Sequence, residues 1–163
     1  MPSKEPPAIT PAEHQLRLRR VRRIARNFGF RGRIEYRHLL SESGGAQFGL
    51  ASDPEQDLLT VDAEAFLRDA NPDDFSLEAI IAHERGHQIV CRNEQLQAFL
   101  GGKIALATEE VLASLAGSWL VAGDQDRQSL VLKALDETLQ CGLTVQEATG
   151  LIKELRALME HVR

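Results

Sequence analysis

The spacing of hydrophobic residues is helical in the first part of the chain. Leu18, Val21, Ala25 and Phe28 are three or four positions apart, which predicts an amphipathic helix over residues 11–28. The segment TPAE before them supplies a threonine N-cap, a proline at the first helical position and a glutamate three residues after the cap. The first ordered element is therefore predicted to be a helix that begins just after its threonine cap.

After this helix the apolar period changes to two. The runs IEYRHL, QFGLAS and LLTVD alternate between apolar and polar residues and are separated by the turn-like segments SESGGA and DPEQ. This pattern predicts a three-stranded antiparallel meander. The next segment, AEAFLRDA, predicts a short helix that ends at NPDD.

The rest of the chain is predicted to be helical. Residues from about 76 to 92 are apolar on more than one side, which is typical of a central helix. TEEVLASLAGSWLVAG predicts a second helix with Thr108 as its cap, and DQDRQSLVLKALDETLQCG predicts a third that closes at Gly142. A last helix opens with a capping box formed by Thr144 and Glu147.

This order of elements, a helix, a small sheet and then a run of helices, predicts an α+β fold. Residues 1–9 are rich in proline and charge and are expected to form a flexible arm, with residues 10–163 forming one domain. The helical pair at about 124–163 carries enough apolar surface to support a homodimer.

The net charge of -5 is unevenly distributed. Residues 1–40 carry +7 and residues 41–163 carry -12, and nine arginines lie between Arg17 and Arg37. Such a segment is compatible with nucleic-acid binding, but a basic face alone gives affinity without specificity. We expect the arginines to form the outer face of the first helix, lying against the acidic body of the protein, and do not expect a nucleic-acid partner.

Two cysteines, Cys91 and Cys141, are fifty positions apart and form no CxxC pattern. Neither a disulfide framework nor a cysteine-based zinc site is predicted. The N-terminus has no apolar signal region, and no segment approaches the roughly 18 apolar residues of a membrane span. We therefore expect a cytoplasmic protein with no membrane partner.

The pentapeptide HERGH carries the main candidate chemistry. On a helix His83 and His87 project from the same side and can bind one zinc ion. Glu84 points about 100° away around the helix axis, close enough to act as general base on a metal-activated water. Gly86 is expected to allow close packing of a neighbouring element. The alternative is two histidines with purely structural contacts.

A catalytic zinc needs a third protein ligand. The downstream candidates are Glu94, Glu109, Glu110, Asp124 and His161. Glu94 follows His87 too closely for the chain to return, whereas Glu109 and Glu110 begin the next predicted helix. From spacing alone both remain candidates, because acidic residues are also common in the first turn of a helix.

The chain resembles the ImmA/IrrE-type metallopeptidases, which have a gluzincin arrangement. The resemblance rests on FGLASDPEQDLLTVD for a strand pair, AHERGH for the motif helix and EVLASLAG for a helix carrying ExxA, and it covers about residues 34–121. It implies a small zincin-like fold, a zinc bound by His83, His87 and Glu110, and Glu84 as the base. Members of the family often cut repressors or other regulatory proteins.

The chain departs from the family pattern at two places. Ser114 follows the ExxA alanine where an acidic residue is usual, and LEAIIAHERGH replaces the lead-in FTLAHELGH. Neither change removes a ligand. They leave the subfamily and the substrate open.

Four further residues have side chains that could act near a metal or pack in the core. Tyr36 and His38 alternate on one predicted strand and could assist an oxyanion, but strand packing is the simpler expectation. Cys91 lies one turn beyond His87 and is expected to be a small buried residue, and Trp119 is expected in the core.

The sequence thus predicts a zinc-dependent peptidase that acts on a peptide or protein substrate. The alternatives are a zincin-like binding or regulatory module without catalysis, and a nucleic-acid-associated protein that uses the arginine-rich helix.

Overall fold

Six helices and three strands make up the described part of the chain in a computed structural model that covers residues 9–37, 45–71, 74–94, 96–97, 105–140 and 142–160. In chain order they are α1 (Pro11–Asn27), β1 (Arg33–Arg37), β2 (Ala46–Gly49), β3 (Leu58–Asp62), α2 (Ala63–Asp69), α3 (Leu77–Cys91), α4 (Ala105–Leu120), α5 (Asp124–Gln140) and α6 (Val145–Glu160), with a short 3-10 helix at Pro54–Gln56. The α+β class is confirmed. The expected N-terminal arm lies outside the described residues except for its last position.

Local capping signals predicted the starts of two helices correctly. The Thr10 hydroxyl accepts a hydrogen bond of 3.1 Å from the backbone N–H of Glu13 at the start of α1. At α6 the capping box is reciprocal, since Thr144 accepts from the N–H of Glu147 at 3.2 Å and Glu147 accepts from the N–H of Thr144 at 3.3 Å. The predicted cap at Thr108 is wrong, because α4 already begins at Ala105.

The sheet is mixed, so the predicted antiparallel meander is also wrong. Its strand order is β1-β3-β2. β2 pairs antiparallel with β3, as expected for a hairpin, but β1 pairs parallel with β3 on the other side. After β1, the chain therefore forms the opposite edge strand, β2. Only then does it return to form the central strand, β3.

The parallel pair is fixed where β1 and β3 begin. The N–H of Arg33 donates to the carbonyl oxygen of Asp57 at 2.7 Å. Gly32 has φ +123°, and a Cβ atom there would lie 2.4 Å from that same oxygen, so only glycine fits this approach. The Asp57 side chain is buried and is held by α3, which brings the starts of both strands to one place.

Helix α3 lies between two hydrophobic clusters, as its apolar surface predicted. The first cluster joins α1, the sheet and the start of α3, and includes Val21, Leu59 and Ile81. The second joins the end of α3 to α4, α5 and α6, and includes Leu112 and Leu155, with Trp119 packed against it. Trp119 is partly buried, so the expectation that it is a core residue holds only in part.

Only some of the α1 arginines lie against the body of the protein. Arg20 pairs with Asp69 at 2.8 Å, and Arg17 bonds to Glu13 at 2.9 Å and lies over the Phe66 ring. Three others, Arg19, Arg22 and Arg23, are exposed, and within the described residues none of them has an acidic partner. The prediction that the basic face lies against an acidic body therefore holds for Arg20, whereas the acidic partner of Arg17 lies on α1 itself.

Candidate metal centre

The two histidines of HERGH converge on one side of α3. Their ring centroids are 4.7 Å apart, and the Nε2 atoms of His83 and His87 are separated by 3.1 Å. The N-terminus of the helix is held by Ser76, whose hydroxyl caps Ala79 N–H at 3.1 Å and donates to Asp126 at 2.7 Å. The spacing of four residues on a capped, buried helix thus brings two nitrogen donors together.

Helix α4 runs antiparallel to α3 and brings Glu110 to the histidines. One carboxylate oxygen of Glu110 is 3.1 Å from His83 Nε2, and the other is 3.1 Å from His87 Nε2. These three residues form a group whose ligand atoms lie within 4.8 Å of one another. They are the three residues that the resemblance implies as ligands.

Close backbone packing of α3 and α4 makes this convergence possible. A Cβ atom at Gly117 of α4 would lie 2.9 Å from the carbonyl oxygen of Ala82 and 3.0 Å from the backbone nitrogen of His83. Gly86 makes the matching contact from α3, against Ala113. The expectation that Gly86 allows close packing of a neighbouring element is confirmed.

The group fits a metal ion in its chemistry and its dimensions. Donor atoms around one tetrahedral zinc, at about 2.0–2.1 Å from the ion, lie roughly 3.3 Å from one another, close to the separations found here. When each imidazole carries its proton on Nδ1, two nitrogen lone pairs and a carboxylate face one point with no proton between them. Such a group can hold a cation. The Glu110 side chain is 44% exposed, so solvent reaches the group from its side.

Glu109, the other candidate ligand, lies on a different side of His87. Its Oε1 is 3.3 Å from His87 Nδ1 and 3.4 Å from the Cys91 sulfur. It therefore contacts the back of the ring rather than the convergent group. The reason is the angle of about 100° between successive residues on a helix.

Ser114 occupies the position where the resembling family usually has an acidic residue. It is fully buried, and its hydroxyl lies 2.9 Å from His83 Nδ1. A hydroxyl can accept the Nδ1 proton just as a carboxylate can. The departure from the family pattern thus leaves the His83 ring with a partner.

The pKa of each residue in this group depends on the others. Hydrogen bonds from His83 and His87 hold the pKa of Glu110 well below its usual range. Burial dominates at His83 and lowers the pKa of that ring. At His87 burial acts the same way, but the hydrogen bond to Glu110 and the charge of Glu84 outweigh it and raise its pKa.

Glu84 lies beside the group but outside it. Burial of its carboxylate raises the pKa of Glu84 to about 7, and the negative charge of Glu110 adds to the rise. A cation between the histidines and Glu110 would favour the ionised form of Glu84. Without a cation, the side chain therefore exchanges a proton near neutral pH.

Lys133 of α5 also reaches the group, although no motif or spacing in the sequence predicts it there. Its ammonium lies 3.8 Å from Glu110 Oε2 and forms a tight ion pair with Glu137. Lys133 follows Glu110 by 23 positions, on another helix, so only the packing of α5 on α4 brings it here.

The other sequence candidates lie elsewhere. Tyr36 is a buried packing residue whose phenol oxygen accepts from Arg17 at 3.1 Å. Glu94 is exposed, and Asp124 begins α5 and pairs with Arg127. His38 and His161 lie outside the described residues.

Comparisons with protein-family models, with curated proteins and with solved structures found no match to this chain.

Within the described residues, none of the helices combines the length and hydropathy that a bilayer span requires.

Proposed function

We propose that this protein is a zinc-dependent peptidase that hydrolyses peptide bonds in a peptide or protein substrate. The observation that carries the proposal is the convergence of His83, His87 and Glu110 beside a carboxylate, Glu84, that is excluded from the ligand set. The same four residues match the HExxH and ExxA motifs of the ImmA/IrrE-type peptidases that the sequence resembles. A regulatory protein is therefore the substrate class we favour.

His83, His87 and Glu110 would hold the ion. When bound, zinc would act as a Lewis acid on a carbonyl and lower the pKa of water in the site to about 7. To bind the ion, each histidine must carry no proton on Nε2. The Nδ1 atom of His83 faces Ser114, and the Nδ1 atom of His87 faces Glu109. The chain thus offers both rings a proton acceptor on the side away from the ion.

Glu84 would perform the proton transfer. Its carboxylate would accept a proton from the attacking water and then deliver it to the nitrogen of the departing amine. Burial makes the Glu84 carboxylate a stronger base than an exposed glutamate, which favours the first of these steps.

The described sheet offers a place for the substrate. β2 is an edge strand and packs on α3 close to the motif, with Ile80 of α3 near Gly45, the residue just before the strand. An extended peptide can add to such an edge through main-chain hydrogen bonds. We propose that the substrate segment lies along β2.

Metal analysis of protein purified without a polyhistidine tag tests the proposal first. We expect about one zinc per chain, and its loss in His83→Ala and in His87→Ala. Full zinc occupancy in both variants would contradict the site. Chelator-sensitive cleavage of unfolded or regulatory proteins tests catalysis, and zinc binding without any such cleavage would favour a non-catalytic zincin-like module.

A further inference from the structure

We propose that Glu109 is a positioning residue that holds the His87 ring with its Nε2 atom directed at the metal. This inference rests on the proposed zinc site and gives the second glutamate at the start of α4 a role of its own. Neither the motif nor its spacing assigns that role.

The two neighbouring glutamates contact opposite nitrogens of the same ring. Glu110 lies 3.1 Å from His87 Nε2, and Glu109 lies 3.3 Å from His87 Nδ1. A neutral imidazole carries only one proton, and metal binding requires that Nε2 be free of it. The proton must then be on Nδ1, where the Glu109 carboxylate accepts it.

The surroundings keep this contact in place. The His87 side chain is only 12% exposed, so the ring has little room to turn. The Cys91 thiol donates to the same Glu109 oxygen at 3.4 Å. Burial, together with the charge of Glu109, raises the pKa of Cys91 to about 12, so the thiol remains a donor at neutral pH.

His83 and His87 thus have different partners behind them. His83 faces the hydroxyl of Ser114, whereas His87 faces a carboxylate. A hydrogen bond to an ionised acceptor is about twice as strong as a neutral one. We therefore expect Glu109 to contribute more to the orientation of its ring than Ser114 does.

Zinc affinity of variants at position 109, measured by competition with a chelator, tests this role. Loss of an outer-shell partner typically weakens metal binding about 10- to 100-fold. We expect that loss in Glu109→Ala and a smaller one in Glu109→Gln, because the amide oxygen can still accept the Nδ1 proton. Should the alanine variant fail to fold, Glu109→Leu gives the same comparison. Glu110→Gln, which alters a ligand, should lose more than any of them.

The NMR signals of the Nδ1 protons in the zinc-loaded protein provide the second readout. We expect the His87 signal to be protected from exchange with water in the wild type and in Glu109→Gln, and to exchange rapidly in Glu109→Ala. Ser114→Ala is the matched control and should change only the His83 signal.

Three results would overturn the proposal for Glu109. The first is a wild-type zinc affinity in Glu109→Ala, and the second is a His87 Nδ1 proton signal that does not change in that variant. The third is a loss of zinc in Glu109→Ala as complete as in Glu110→Gln, which would make Glu109 a ligand. A wild type that binds no zinc would instead overturn the proposed function, and this proposal with it.

Discussion

Gly86 of α3 lies directly against the backbone of Ala113 in α4. A Cβ atom on residue 86 would lie 2.0 Å from the Ala113 carbonyl oxygen, far closer than two non-bonded heavy atoms can approach. The two helices that carry the candidate ligands are therefore in contact at a point where only glycine fits.

Gly86→Ala should destabilise the protein and weaken its metal site together. Overpacking of this kind typically costs about 1–3 kcal/mol, which exceeds the gain of about 1 kcal/mol when alanine replaces a helical glycine. Because α4 must move away from α3, Glu110 should also leave the histidines. Denaturant unfolding and zinc titration measure the two effects.

Gly150 of α6 provides the control for this substitution. It is exposed, and nothing lies within 4 Å of the Cβ position that alanine would occupy. Gly150→Ala should raise the free energy of unfolding by about 0.5–1 kcal/mol through helix propensity alone. If Gly86→Ala were equally stabilising, the close contact of α3 and α4 would be wrong.

The parts of the fold that the sequence predicted correctly depend on local chemistry. Thr10 and Thr144 each cap the backbone N–H of the residue three positions later. The HERGH spacing brings its two histidines together within about one turn of a helix. The strand LLTVD was predicted with its observed bounds, Leu58–Asp62. Alternation of apolar residues, however, says only which face is buried and contains no information on strand direction.

The parts that were missed depend on long-range contacts. The parallel pairing of β1 with β3 follows from the approach of Gly32 to the Asp57 carbonyl, 25 positions away. Lys133 comes to the site from α5, and Ser114 meets His83 across the contact between α3 and α4. Spacing alone left Glu109 and Glu110 as candidates and the resemblance implied Glu110, but it is the register of α4 against α3 that brings Glu110 to the histidines.

Asp57 should make stability depend on pH in the acidic range. It is fully buried, and although burial acts to raise its pKa, hydrogen bonds from Arg92 at 2.5 Å and Gln88 at 2.8 Å lower it below the usual value of 3.8. The folded state then prefers the ionised form more than the unfolded state does. This stabilisation is present above about pH 4 and is lost as the pH falls through the lower folded pKa.

Asp57→Asn tests that dependence. At pH 7 we expect the variant to lose about 1.5–3 kcal/mol of unfolding free energy, the usual contribution of hydrogen bonds to a charged group. The difference from wild type should shrink as the pH falls below 4. Glu154→Gln, at an exposed position of α6, should change stability by less than about 0.5 kcal/mol at every pH. A difference that stays constant with pH would show that the charge of Asp57 does not act in this way.

The exposed arginines of α1 give a prediction about partners. Replacing Arg19, Arg22 and Arg23 together by glutamine should leave zinc binding unchanged and shift stability by less than about 0.5 kcal/mol. Arg20→Gln, which removes the pair with Asp69, should cost up to about 1 kcal/mol. Salt-dependent binding of DNA or RNA by the wild type, lost in the triple variant, would show instead that this face binds nucleic acid.

Glu84→Gln separates an enzyme from a metal-binding scaffold, which metal content alone does not. Glu84 is outside the convergent group, so the variant should keep its zinc and its fold. Glutamine can still hydrogen-bond water but cannot accept its proton, and loss of a general base typically lowers the rate about 10²- to 10⁴-fold.

Zinc content and cleavage should be measured on the same samples of wild type, Glu84→Gln and chelated protein. Glu78→Gln is the matched control, because Glu78 is an exposed glutamate in the first turn of the same helix, and its variant should cleave at the wild-type rate. If Glu84→Gln retains zinc and cleaves as fast as wild type, Glu84 is not the base and the proposed mechanism fails. If it retains zinc and loses cleavage while the control does not, proton transfer by Glu84 is the step that makes the metal centre catalytic.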